Sequence, residues 1–231
     1  MGGECATGPG WELRLGRWQD VLRDIVTCDA VITDPPYSET THAGALSSGG
    51  VVGVTEYAAL STGAAADLAT RWAIAAAGWV VIHTDDILHP TLREAVGRTG
   101  RCAFPPVPVL QQMPRVSGDG PGSHGHYLCV SRPRTREYAT WGSLPGWYEC
   151  RRDGSIVRGG KPLDLMRAIV RDYTRPGDLI VDPCAGGGTT LLAAAIEGRR
   201  GMGAEMDPAT YAKAVRRMRA GHTPQLNWSA G

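Results

Sequence analysis

Several things are missing from this sequence of 231 residues, and each absence closes off a class of function. There is no large excess of charge: 24 Lys and Arg stand against 23 Asp and Glu, for a formal net charge of +1. A polycation that coats nucleic acid by bulk charge is excluded, so any such contact needs a local basic face. The six cysteines, Cys5, Cys28, Cys102, Cys129, Cys150 and Cys184, contain no C-x-x-C pair, and no histidine lies at zinc-finger spacing from them. They read as scattered, reduced thiols of a cytosolic protein. His124 and His126 lack an evident third ligand, so no metal is expected. No apolar run reaches membrane-spanning length. The start Met1-Gly2-Gly3-Glu4 lacks the basic and apolar regions of a signal peptide. The expectation is a cytoplasmic protein with no membrane contact.

What is present is a hydrophobic fraction of 42%, enough for a buried core and ordinary for a globular chain. The length suits one α/β domain over 1–231 with a small insertion. The first eight or so residues, rich in glycine, read as loose. Glu12 to Leu15 reads as a short strand closed by Gly16, and Val21 to Ile25 as a short helix or turn. Ala30 to Thr33 is a compact apolar strand that runs into Asp34-Pro35-Pro36-Tyr37, where two prolines end both strand pairing and helix. Ser38 to Thr55 is a loop rich in Gly, Ser and Thr; with His42 it reads either as a segment that closes over a substrate or as a free surface loop.

A helix over Ala64 to Ala77, a strand over Trp79 to His83 and a helix over Asp86 to Gly97 follow. His83, Asp85 and Asp86 fall near the end of that strand, as substrate contacts or, for one acid, a helix cap. Phe104 to Gly125 is dense in Pro and Gly and reads as a loop, with Asp119 and Arg115 as a polar turn or a nucleic-acid contact. Tyr127 to Ser131 reads as a strand. Pro162 opens a helix carrying Leu163, Met166, Ile169, Val170 and Tyr173 at helical spacing. Leu179 to Asp182 is a strand, Thr189 to Glu197 a helix, and Met202 to Ala204 a strand ending at Glu205. Asp207 and Pro208 open a last helix whose inner face is Tyr211, Val215 and Met218. Strands alternating with helices imply a doubly wound, mostly parallel α/β sheet.

Two constellations carry chemistry. The first runs from Asp182 to Glu205: strand, glycine loop, helix, strand, acid. The glycines let backbone approach a ligand, the helix start offers free N–H groups to an anion, and an acid some twenty residues on suits a ribose diol. Alone, this pattern also fits a nicotinamide or flavin site. The second is Asp34-Pro35-Pro36-Tyr37. A short acid among rigid prolines can accept hydrogen bonds from an amino group at a fixed position, and the neighbouring ring can stack on a planar base.

Together these segments resemble the DNA amino-methyltransferases, in the β arrangement where the catalytic tetrapeptide precedes the cofactor loop. Asp34, Pro35, Pro36 and Tyr37 match the catalytic motif. Asp182, Pro183, Cys184, Ala185, Gly186, Gly187, Gly188, Thr189 and Thr190 resemble the cofactor loop D-P-F-x-G-S-G-T-T, with Cys184 for the aromatic and Gly187 for the serine. Gly160-Lys161-Pro162-Leu163 resembles the lysine-proline element before that loop, without the common histidine ahead of it. Glu205 matches the ribose-binding acid. Arg17 and Trp18 stand near the cofactor's adenine, Arg17 where the family often has an acid.

The resemblance implies a seven-stranded Rossmann-like methyltransferase sheet and S-adenosyl-L-methionine as cofactor. It implies DNA as partner and transfer of a methyl group to the N6 amine of a flipped-out adenine. N4 of cytosine is the alternative, and a catalytically inactive binding module of the same fold a further one. The segment 132–158 interleaves arginines with aromatics, among them Arg134, Arg136, Trp141, Trp147, Arg151 and Arg152. That mix suits a target-recognition insertion, cations on phosphates and rings on bases, and a solvated hairpin with incidental arginines fits as well. Its shortness implies a short target, a homodimer or a helping partner.

Overall fold

The computed structural model describes residues 4–41, 58–115, 121–150 and 160–221, except the side chains of 112–115 and 123–124. Within them the chain forms one ten-stranded mixed sheet. The strands are β1 (Cys5–Gly8), β2 (Trp11–Leu15), β3 (Ala30–Thr33), β4 (Val80–Thr84), β5 (Cys102–Ala103), β6 (Val107–Arg115), β7 (Ser123–Arg132), β8 (Tyr148–Cys150), β9 (Leu179–Asp182) and β10 (Arg200–Glu205). The helices are α1 (Trp18–Val21), α2 (Thr62–Ala75), α3 (His89–Arg98), α4 (Arg136–Ala139), α5 (Leu163–Tyr173), α6 (Thr189–Ile196) and α7 (Pro208–Gly221). The order β1-β2-β10-β9-β3-β4-β7-β6-β8, with β5 paired to β7, contains the expected seven-stranded sheet from β2 to β6. Strands β2, β10, β9, β3 and β4 are parallel, and β7 runs against β4.

The central strands are short apolar runs because both of their faces are covered. Alternation then splits each run between two cores. On β3, Val31 joins the cluster under α2 and α3, and Ile32 the cluster under α5 and α6. Ile180 and Val181 on β9 divide the same way. A third cluster, with Trp11, Leu13, Leu191, Tyr211 and Met218, seats α7 against β1 and β2.

Several expectations are corrected. The amino-terminal stretch is not loose: Cys5–Gly8 pairs antiparallel with β2 and caps the sheet edge. The short helix lies earlier, at Trp18–Val21, and α3 begins at His89. Pro162 is the N-cap of α5, with Leu163 its first residue. The largest correction is 104–125, where β6 and the start of β7 stand in place of the expected loop. Pro108 is tolerated because β8 pairs with β6 only from Val109 onward, so its missing N–H breaks no bond to β8. Gly125 is required by close approach: a Cβ there would lie 1.8 Å from the Val109 carbonyl oxygen. Breaker residues signalled a turn where they serve a crowded, bulged strand pair.

Candidate active site

The chain leaves β3 toward β4 on one side, and β9 toward β10 and β2 on the other. The adjacent carboxyl ends of β3 and β9 are therefore the topological switch point, where open α/β sheets place their ligands. The last residue of β3, Thr33, donates its hydroxyl to Asp182 Oδ1 at 2.7 Å, and the Cys184 amide donates to the same oxygen at 3.1 Å. Asp182 is 1% exposed, and burial lifts its carboxyl to about 6 despite these bonds. This lock places Asp34, one residue past Thr33, beside the glycine loop that follows Asp182.

Asp34 uses one oxygen and keeps the other. Its Oδ2 accepts from Lys161 Nζ at 2.5 Å, while its Oδ1 is buried with no hydrogen-bond partner among the described residues. Lys161 also stands over the Tyr37 ring, 5.0 Å from its centre. The Tyr37 hydroxyl is likewise buried; it lies toward Asp34 without making a well-formed hydrogen bond. Burial first, and then the Asp34 charge, push that phenol well above its ordinary value.

Against the Tyr37 ring lies His126, with ring centres 6.0 Å apart. His126 on β7 is hydrogen-bonded to His83 on β4, Nε2 to Nδ1, at 2.9 Å. Burial, reinforced by the Lys161 charge, holds both imidazoles well below their ordinary range, so the pair is neutral. The loop after Tyr37 is tied down by Asp85, which accepts from the Ser38 amide and hydroxyl at 2.9 and 2.5 Å and from the Thr41 hydroxyl at 2.7 Å. Its other oxygen takes the Leu88 amide at 2.8 Å, which closes the turn before α3; the helix itself has Leu88 as N-cap and no side-chain cap, so the cap expected of one acid is absent.

The glycine loop is bent by left-handed residues. Gly186 has φ +51°, and Gly188, the N-cap of α6, has φ +73°. A Cβ at Gly188 would also meet Met218 Sδ at 2.8 Å. Glu205, at the end of β10, is 9% exposed and accepts from the Asp207 amide at 2.8 Å and from the Gly186 amide. Burial raises its carboxyl above the usual range. The Gly16 amide donates to the Glu205 carbonyl at 2.8 Å, bringing the end of β2 alongside. Arg17 is exposed there, whereas Trp18 turns inward onto Trp72, ring centres 5.9 Å apart. Pro183, Ala185, Thr189 and Thr190 are buried and shape the loop from behind.

Three functional contacts had no signal in the sequence. Thr33 reads as one more strand residue, Asp85 binds a segment 47 positions away, and Arg217 on α7 clamps the loop by donating to the Gly187 carbonyl at 3.1 Å and the Thr189 hydroxyl at 2.6 Å.

Among the described residues, Trp141 lies away from this crevice. Trp141 stacks on Tyr138 with ring centres 5.4 Å apart and planes at 7°, and both rings pack on Trp79, which precedes β4. That is the opposite end of the strands from Asp34. Arg134 donates to the Gly100 carbonyl at 3.1 Å, and Arg136 is exposed on α4. Trp147 is 52% exposed beside edge strand β8. Arg115 closes β6, its side chain outside the described set. His42, most of the loop to Thr55, Asp119, Arg151 and Arg152 lie outside the described residues, as does the side chain of His124. Among the described residues no three His, Cys, Asp or Glu side chains group as a metal site, and no helix is long and apolar enough to cross a membrane.

Comparison with known proteins bears on the family and the fold. Residues 146–216 match the family model of the N6/N4 methyltransferases, described as a DNA methylase. The type II methyltransferase M.EcaI of Enterobacter cloacae is 30% identical over 109 residues, 43% of this chain. M.HindIII of Haemophilus influenzae is 41% identical over 58 residues, 25% of this chain. These matches span only 24% and 19% of the two relatives' own length. In three dimensions the chain is similar to the M1.HpyAVI–SAM complex, with a TM-score of 0.66 over 90% of this chain and 99% of that one. At 16% identity, that is a likeness of fold.

Proposed function

We propose, from the premise that this chain belongs to the DNA amino-methyltransferases, that it transfers a methyl group from S-adenosyl-L-methionine to the N6 amine of an adenine flipped out of DNA. The observation that carries the reading is the buried, unpartnered Oδ1 of Asp34, one residue from a hydroxyl bonded to Asp182.

The residues present fit the cofactor. Glu205, buried at the end of β10, is the acid for the ribose hydroxyls, with Gly16, Arg17 and Trp18 beside it. The left-handed turns at Gly186 and Gly188 open the loop to close backbone approach, and Lys161 supplies a cation for the amino-acid carboxylate. When bound, the cofactor supplies an electrophilic methyl group on a sulfonium.

The protein's own part is positioning and electrostatics. An exocyclic amine is a weak nucleophile because its lone pair is delocalised into the ring. Asp34 Oδ1 accepts one amine proton in a hydrogen bond, and the Pro35 carbonyl the other, which favours a pyramidal nitrogen with its lone pair free. Pro35 and Pro36 keep both acceptors rigid. Tyr37 stacks on the base, which must leave the duplex to reach the crevice. The neutral His83–His126 pair adds no cation that would compete for Asp34. We further propose that Arg134, Arg136 and Trp147, with Arg115, Arg151 and Arg152, touch DNA, the arginines on phosphates that set register without reading the target.

The test is incubation with methyl-tritiated S-adenosylmethionine and unmethylated DNA, followed by digestion and chromatography of the nucleosides. Label is expected in N6-methyl-2′-deoxyadenosine. Label in N4-methyl-2′-deoxycytidine would move the assignment to the other base, and cofactor binding without transfer to any DNA or RNA would leave a binding module in its place.

A further inference from the structure

Lys161 meets the two groups that the proposed function assigns to the incoming base. Its ammonium donates to Asp34 at 2.5 Å, as the base amine must, and stands 5.0 Å from the centre of the Tyr37 ring, where a stacked base must lie. The pair is largely shielded, with side-chain exposures of 11% for Lys161 and 22% for Asp34. Taking the ammonium away and leaving both charges bare would be unfavourable at such a site. The histidines beneath, bonded to each other at 2.9 Å, supply no replacement cation, because burial in the core keeps the pair neutral. What can stabilise the displaced ammonium is a second carboxylate. The lysine's four-carbon stem allows that swing without moving Pro162, the rigid N-cap behind it.

We infer that Lys161 is a positioning residue that couples the two halves of the site: it holds Asp34 and covers Tyr37 until the α-carboxylate of a nucleoside bearing an amino acid draws its ammonium away. The inference rests on the methyltransferase reading, in which such a nucleoside is the cofactor. It adds an order of events. The base pocket opens after the cofactor's amino-acid end has arrived, and the lysine passes from one carboxylate to the other.

The test reads binding alone, by calorimetry with two probes. S-adenosylhomocysteine carries the amino-acid carboxylate, and 5′-methylthioadenosine has the same thionucleoside without it. Asp34→Asn removes the charge that holds Lys161 and keeps the shape. With Lys161 present, D34N is expected to tighten S-adenosylhomocysteine at least about twofold, the low end of coupling between groups in contact, and to leave 5′-methylthioadenosine unchanged. In a Lys161→Met background the gain should vanish. An equal gain in that background would mean simple repulsion between carboxylates, and a gain with both probes or with neither would also overturn the inference. Asp34→Ser serves the same cycle if D34N fails to melt cooperatively. Failure of the wild-type chain to bind either nucleoside would instead overturn the methyltransferase reading.

Discussion

At the amino-terminal end of the central strands, Trp79 gathers Phe104, Tyr138, Trp141 and Tyr173 with ring centres 5.2 to 6.4 Å away, and Arg175 covers Trp141 at 4.2 Å. Trp141 Nε1 and the Tyr148 hydroxyl are both spent on Asp172, at 2.9 and 2.7 Å. At the carboxyl end, Lys161, Tyr37, His126 and Asp34 are of similar chemical kinds. There Asp34 Oδ1 is buried without a partner among the described residues, and the Tyr37 hydroxyl without a well-formed hydrogen bond. Trp79 Nε1 is unpartnered among them too, but it is sealed among the rings around it, with Trp79 only 3% exposed, so the amino end offers little to a ligand. Buried polar atoms without partners are unfavourable until a ligand satisfies them. The amino end is thereby built for stability and the carboxyl end for binding.

That contrast can be broken by mutation. Trp79→Ala should produce the largest loss of stability, about 3–5 kcal/mol as for other buried tryptophans, measured by urea unfolding, with per-molecule turnover kept in whatever remains folded. A loss of turnover with stability intact would contradict the division. Asp34→Ala should do the reverse, lowering methyl transfer by about a hundredfold to a thousandfold while S-adenosylhomocysteine binding is undiminished. Retained transfer would remove Asp34 from the mechanism.

Asp182 sharpens the comparison through pH. Its carboxyl is lifted by burial from an ordinary value of 3.8 to about 6. Between those values the unfolded chain has lost the proton and the folded chain keeps it, so stability falls as pH rises through the window. The effect is on the order of 2–3 kcal/mol. Asp182→Asn should flatten the profile between about pH 4 and 6, and an unchanged profile would show that another group titrates there. The smallest effect belongs to Arg175→Ala, about 0.5–1 kcal/mol of stability for an exposed cation over a ring, with DNA affinity unchanged. A large drop in DNA affinity would return the aromatic stack to the recognition surface.

The chemistry-bearing strings were legible in the chain because each is local. Asp34 to Tyr37 and Asp182 to Thr190 each pair a short apolar strand with breaker residues, and that grammar fixes a loop at a strand's carboxyl end wherever the strand lies. The segment 104–125 was misread because Pro108 and Gly125 are breakers by local rules, while the space across from them, set by Val109 and by the reach of β8, decides whether a strand survives. That Trp141 stacks on Tyr138 was not legible for the same reason, since composition says nothing about which face of a ring is already covered.

By itself, then, the order of residues determined the alternation of strands and helices, the doubly wound class and the two loops that carry the acid and the glycines, because periodicity and backbone restriction act over a few neighbours. The tertiary structure alone decided that β3 lies beside β9, that Thr33 grips Asp182, that Lys161 reaches 127 positions back to Asp34, and that Trp141 packs on Trp79 at the far end of the strands. Such pairings depend on which buried faces meet and which charges are shielded together, and those are properties of the packed molecule that no local stretch of chain contains.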